Sequence, residues 1–346
     1  MGLLEEINEQ PQVLQGLIDN RRSQIRQVAK AIQGRRIDYV FLAARGTSDH
    51  AGVYAQYLLG ARNGYPVALA APSLFTLYAE PPRLKNALVL GISQSGQSPD
   101  IVQVLAEGRR QGALTLALTN DTASPIAQTT DLVLELGAGE ERAVAATKTY
   151  TAELMTLALL SAALDNEFQL RMDELSRIPP AIQSVLERSG AIEELAVHFK
   201  DIKGCIVLGR GYNYSTALEW ALKLKELVYI LAYPYSPADI QHGPMALLEP
   251  GFPVLAIAPT DATQAESLVL LRSMTRDHAV DLLVLSDQEE ALALAQSSFA
   301  LPTGLVDWTT PILAIVPAQV FCYYLARVKG FDTEKPRNIQ KVSLTY

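Results

Sequence analysis

Leu88-Val89-Leu90-Gly91-Ile92-Ser93-Gln94-Ser95-Gly96-Gln97-Ser98 is the stretch from which the fold can be read. An apolar run of strand length passes directly into a hydroxyl-rich turn, and Pro99 then opens a helical pattern. Three serines and two glutamines around one glycine, at the start of a helix, form a neutral cradle suited to an anion. Turn N–H groups and the helix dipole supply its positive end. A phosphate group is the expected guest. A serine-rich capping turn with no ligand fits the same residues.

Similar units lie on either side. Tyr39 to Ala44 reads as a strand ending at Arg45-Gly46-Thr47-Ser48, with a helix from about Asp49 to Ala61. Leu114 to Leu118 is a strand ending in Thr119-Asn120-Asp121, and Leu132 to Leu136 is a short one before Gly137. Ahead of them, residues 3–33 read as two helices, and a long apolar helix spans about Thr147 to Ala163. Strands that are apolar throughout and alternate with helices indicate a parallel sheet covered on both faces. Ligands of such sheets bind beyond the carboxyl ends of the strands, where the serine turn and Gly46-Thr47-Ser48 both fall.

The pattern then repeats. Cys205 to Gly211 matches Tyr39 to Gly46, Pro253 to Thr260 matches Ala87 to Gln94, Leu283 to Asp287 matches Leu116 to Asn120, and Phe299 to Gly304 matches Leu132 to Gly137. An offset of about 166 residues held across four strand–turn units predicts two tandem α/β domains, each a three-layer αβα arrangement of flavodoxin-like type. The boundary falls between Pro179-Pro180 and Gly190, giving domains 1–185 and 186–346. The second cradle reads Ala258-Pro259-Thr260-Asp261, where an acid would repel phosphate, so one copy binds and the other is reassigned.

Composition excludes several classes. The chain has 346 residues, 49% of them hydrophobic, with a formal charge of −8, which argues against a nucleic-acid or anionic-membrane surface. Two cysteines, both in apolar runs, suit a reducing cytoplasm and no disulfide framework. No signal-peptide pattern opens the sequence. The apolar stretch Pro311 to Ala326, interrupted by Pro317 and Gln319, reads as too short to span a bilayer, so a soluble cytoplasmic protein is expected.

Two tempting motifs fail. Gly209-Arg210-Gly211-Tyr212-Asn213-Tyr214 lacks the third glycine of a dinucleotide fingerprint and sets tyrosines where a pyrophosphate must approach. Gly91-Ile92-Ser93-Gln94-Ser95 has serine in place of the last glycine of a nucleophile elbow. The four histidines are not spaced as metal ligands, and no metal or cofactor is expected.

Glu219, Lys223 and Glu226, spaced i, i+4, i+7, share one face of a helix predicted over Ala217 to Ile230. The plain reading is a solvated Glu–Lys face. The sharper reading notes that this helix begins at the carboxyl end of a strand, aimed at the site. Gln241-His242-Gly243-Pro244 follows, a histidine on a stiffened loop, or else a capping residue of Met245 to Leu248. A carboxylate and a histidine that share a cleft suit proton shuttling on a sugar. The basic tail Lys335 to Lys341 is either solvated or folded back to deliver Lys341.

Taken in order, these motifs resemble the sugar isomerase (SIS) family. They are Glu5 to Pro11, Gly46-Thr47-Ser48, Ser93 to Ser98, Val144 to Lys148, Ala217 to Glu226, His242-Gly243-Pro244 and Pro336 to Lys341. The likeness is to the isomerase half of glucosamine-6-phosphate synthases, from which Arg45, Ala146 and Gln97 depart; Arg45 to Asp49 together with Val144 to Lys148 is more similar to stand-alone SIS-type amino-sugar-phosphate deaminases. The resemblance implies that Ser48, Ser93, Gln94, Ser95 and Ser98 hold a sugar phosphate, with Thr47, Val144 and Glu219 along the sugar. It implies that Glu226 moves a proton between C1 and C2, Lys223 supports that carboxylate, His242 assists ring opening and Lys341 can form an imine. It further implies a homodimer in which the His242 loop reaches across from the neighbouring subunit.

The chain opens Met1-Gly2, without the N-terminal cysteine that releases ammonia from glutamine in the synthases. The expectation is therefore a cofactor-independent deaminase/isomerase that converts glucosamine 6-phosphate to fructose 6-phosphate and ammonia. A synthase-like isomerase module, an isomerase of another phosphorylated amino or glycated sugar, and a non-catalytic sugar-phosphate sensor are the alternatives.

Overall fold

Two parallel sheets organise the chain, and a computed structural model describes them over residues 2–341. The first contains β1 (Tyr39–Ala43), β2 (Val67–Leu69), β3 (Ala87–Ile92), β4 (Leu114–Thr119) and β5 (Leu132–Glu135), in the order β2-β1-β3-β4-β5. The second contains β6 (Gly204–Leu208), β7 (Leu231–Tyr235), β8 (Pro253–Ile257), β9 (Asp281–Ser286) and β10 (Ser297–Ala300), in the order β10-β9-β8-β6-β7. Read from the opposite edge, the second order is the first one again. Every pairing is parallel; in the first sheet Val89 sits between Phe41 and Thr115. This is the doubly wound order whose switch point lies between its first and third strands.

The central strands are the apolar runs of the sequence. β3 and β4 are buried at every position, as a sheet covered on both faces requires. Two edge strands, β2 and β7, are absent from the sequence reading. β2 has only three residues, and β7 carries Pro234, which is tolerated because an edge strand has a side with no neighbour to pair with.

Two compact units form, and they are not two contiguous segments. One comprises residues 12–141, 148–176 and 340–341 and holds β1 to β5; the other comprises 2–11, 142–147 and 177–339 and holds β6 to β10. In the first, the buried helix Lys148–Leu164 packs on helices Thr47–Asn63 and Arg22–Gln33. In the second, Thr310–Val328 packs on Ser189–His198, Tyr214–Lys223 and Ile178–Leu186.

Three helices, Leu3–Asn8, Gln10–Asn20 and Arg22–Gln33, replace the two expected at the start. The stretch around Pro317 is also not interrupted. Asp307–Val328 is long and apolar enough to cross a membrane, and 83% of its apolar window is buried inside the fold. Gln319 is tolerated there because its amide donates to the Thr147 carbonyl (3.3 Å) and accepts from Gln10 (2.9 Å). Both cysteines are buried free thiols, and burial pushes Cys205 up to about 12.

Candidate active site

The serine turn is built from the end of β3. Gly96 N–H donates to the Ser93 carbonyl (3.2 Å) and hydroxyl (3.1 Å), and Gln97 N–H donates to Ser95 Oγ (3.3 Å). Gly96 has φ +63°, and a Cβ there would fall 2.1 Å from Ser124 Oγ, so only glycine fits. Neighbouring strands brace the turn: Asn120 N–H donates to the Gln94 carbonyl (3.1 Å) and Ile126 N–H to that of Gly96 (3.2 Å).

Ser98 occupies the N-cap position of helix Pro99–Arg110 without a side-chain cap bond. The N–H groups of Gln94, Ser95 and Ser98, and the side chains of Gln94 and Ser98, have no partner among the described residues. These are donors grouped at a helix start, as an anion requires. The buried Asp100 beside them is balanced by Arg45 (2.8 Å), which stands exposed at the end of β1.

Ser48 lies apart in its bonding. Its hydroxyl donates to Glu153 Oε1 (2.7 Å) on the buried helix behind it. A hydroxyl has one proton, so in this arrangement Ser48 has none to give a phosphate. Thr47 opens the same helix, and Gly46 before it has φ +55°.

A loop beyond β5 lies in the same unit as the serine turn. Asn120 links it to the serine turn: its side chain donates to the Gly139 carbonyl (2.6 Å) and accepts from Ala138 N–H (2.9 Å). Further along, the buried Glu141 carboxylate accepts Thr149 N–H (3.1 Å), Thr149 Oγ1 (2.7 Å) and Lys341 Nζ (2.5 Å). Neither Asn120 nor Glu141 stands out in the sequence. Their partners lie up to 200 positions away along the chain, and no local pattern announces them.

The other unit carries the charged helix, and its face is not solvated. Lys223 is 1% exposed, with Nζ 3.2 Å from Glu219 and 2.5 Å from Glu226. Burial works against the ammonium, but the two carboxylates outweigh it and hold Lys223 above lysine's ordinary range. Glu219 is wholly buried and turned to Lys223, with no surface for a sugar. Glu226 keeps 22% of its side chain open, so the cluster's excess negative charge is reachable there.

The helix also changes form at this point. Tyr214–Lys223 is α-helical, Leu224–Val228 is a π-turn, and Tyr229 is left-handed at φ +59°. Such widened turns re-aim side chains and recur at functional sites. The tail anchors it: Arg337 N–H donates to Tyr229 Oη (3.0 Å), and its guanidinium stacks 4.5 Å over the Tyr229 ring.

His242 ends a short 3₁₀ turn on an exposed loop, with its N–H on the Asp239 carbonyl (3.0 Å) and Gly243 next at φ +128°. No described residue bonds its ring. Val144 is half-buried in a segment whose Arg142 and Ala143 N–H groups donate to Glu6 at 2.5 and 3.2 Å. Gly209, offered by the dinucleotide motif, serves packing instead, since a Cβ would sit 2.3 Å from the Asn213 carbonyl.

The SIS domain profile matches residues 35–163 and 198–328, once on each sheet. The chain belongs to the SIS family. Among curated relatives, a glutamine–fructose-6-phosphate aminotransferase (isomerizing) of Chlorobaculum tepidum is 33% identical over 98% of this chain. The chain spans 57% of that relative's length. The C-terminal domain of the glucosamine-fructose-6-phosphate aminotransferase of Francisella tularensis superposes with TM-score 0.85 at 25% identity, covering 96% of this chain and 97% of that one. A Silicibacter pomeroyi protein provisionally classed as a phosphosugar isomerase superposes with TM-score 0.82 at 32% identity, covering 96% and 100%. Both superpositions extend over the two sheets of this chain, not one repeat alone.

Proposed function

We propose that this SIS protein is a cytoplasmic deaminase/isomerase of amino-sugar phosphates, acting on glucosamine 6-phosphate. The observation that carries the reading is the buried Glu219–Lys223–Glu226 cluster, which holds one reachable carboxylate on a π-turn. That is how a base is fixed in place rather than left on a mobile surface.

In this reading the serine turn holds the 6-phosphate through its uncommitted N–H groups, Gln94 and Ser98. His242 moves the ring proton that opens the pyranose. Glu226 then removes the proton from C2, α to the C1 aldehyde, and an enolamine forms. Returning the proton to C1 gives the C2 imine, which water hydrolyses to fructose 6-phosphate and ammonia. Every step is a proton transfer or a hydrolysis. One carboxylate on one face serves both transfers.

Purified protein incubated with glucosamine 6-phosphate is expected to release ammonia and fructose 6-phosphate in equal amounts. Tight binding without turnover would make it a sensor instead. The identity to aminotransferases across 98% of the chain favours a second reading, a synthase-like isomerase module. Turnover of fructose 6-phosphate with no release of ammonia from the amino sugar would establish that one.

The exposed, unbonded His242 ring and the 51% exposed Leu247 on the same loop support a homodimer that shares this loop. Mixing an inactive His242→Ala variant with an inactive Glu226→Gln variant is then expected to restore about a quarter of wild-type activity, since a two-fold dimer rebuilds one complete site per heterodimer. No recovery after subunit exchange contradicts a shared site.

A further inference from the structure

We infer that Glu6 and Gln319 are positioning residues that fasten the two ends of the segment Arg142–Thr147, so that its middle meets the sugar in one conformation. The inference rests on the reading above for the identity of the sugar. All the residues involved belong to one unit of the fold. At the start of the segment, the fully buried Glu6 carboxylate gives one oxygen to each of two successive amides. Oε1 takes the Arg142 N–H (2.5 Å) and Oε2 the Ala143 N–H (3.2 Å). At its end, the buried Gln319 amide donates to the Thr147 carbonyl (3.3 Å). Gln10, on the helix that follows Glu6, donates to Gln319 in turn (2.9 Å).

Between these anchors the backbone is uncommitted. The N–H and carbonyl groups of Val144 and Ala145 make no hydrogen bond with a described residue, although Ala145 is buried. Buried peptide groups are rarely left so, and a ligand rich in hydroxyls can satisfy them. A segment with loose ends would sample several conformations, and the sugar would have to select one. Apparent affinity then falls with the fraction of chains that hold it, while the step after binding is untouched.

Two measurements test this, and the first needs no substrate. In Glu6→Gln the side chain keeps one acceptor and sets an NH₂ group against the other amide N–H. Hydrogen exchange of the sugar-free protein, read by mass spectrometry, should show the Arg142 and Ala143 amides protected in the wild type. In Glu6→Gln they should exchange at least about tenfold faster, with the buried helix Lys148–Leu164 protected as before. Equal exchange in the two proteins would overturn the inference.

The second measurement is kinetic. With glucosamine 6-phosphate, Glu6→Gln and Gln319→Leu should each raise KM at least about fivefold and keep kcat within about threefold of wild type. Gln319→Leu carries the test on its own if Glu6→Gln folds poorly. Leu3→Ala removes a buried side chain of the first helix but none of the anchoring bonds, so it should lower the urea midpoint and leave KM unchanged. Unchanged KM in both anchor variants, or an equal rise in Leu3→Ala, would contradict the positioning role. Absence of wild-type turnover would instead sink the proposed activity, and the exchange rates would still decide whether Glu6 anchors the segment.

Discussion

Glu226→Gln is expected to lower kcat by about two to four orders of magnitude, the range that general-base removal typically costs, with little change in KM. The amide has the same shape but cannot accept a proton from carbon. The phosphate contacts proposed for the serine turn are untouched, which is why KM should hold. The fold should hold too, because Lys223 remains balanced by Glu219 at 3.2 Å once the second carboxylate is gone. Steady-state kinetics, with urea unfolding as a control, check both halves. A variant with kcat near wild type would remove Glu226 from the mechanism.

Lys223→Met should instead act on stability. Without the ammonium, Glu219 is left as a wholly buried carboxylate without its cation, and breaking such a pair typically costs about 3–5 kcal/mol. The urea midpoint should drop accordingly, and Glu219→Gln in the same chain should recover part of the loss, since the stranded charge is then absent. An unchanged midpoint would mean that the cluster contributes nothing to the fold. The sign of the pH dependence follows from Lys223 being held above its ordinary range. Its contribution is fully present at neutral pH and is lost only as the pH rises beyond about 10.

Strands β1, β3 and β4 were legible because they are continuous apolar runs, and the repeat made their partners in the second half legible as well. Edge strands β2 and β7 were not, because short or proline-containing edges carry little apolar signal. Within the site, the spacing of Glu219, Lys223 and Glu226 revealed the shared face, but not that it is buried or that the helix widens beneath Glu226. Burial of that face is set by packing against Thr310–Val328, nearly a hundred residues later. Glu141 was illegible for the same kind of reason. It sits in a loop with no periodicity, and its partners are Thr149 and Lys341, the latter from the far end of the chain. Ser48 shows the opposite case, a residue marked by its motif whose single proton is given to a buried carboxylate.

The central claim is that Glu226 takes a proton from the sugar carbon, and hydrogen exchange reports that step directly. With 22% of its side chain open, Glu226 can trade a captured proton with solvent before returning it. Fructose 6-phosphate incubated with the protein and an ammonium salt in D₂O, so that the C2 imine can form, and followed by proton NMR, should therefore lose one C1 proton signal. The loss should be at least about a hundredfold slower with Glu226→Gln. Equal rates in the two proteins, or no exchange in either, would contradict the account.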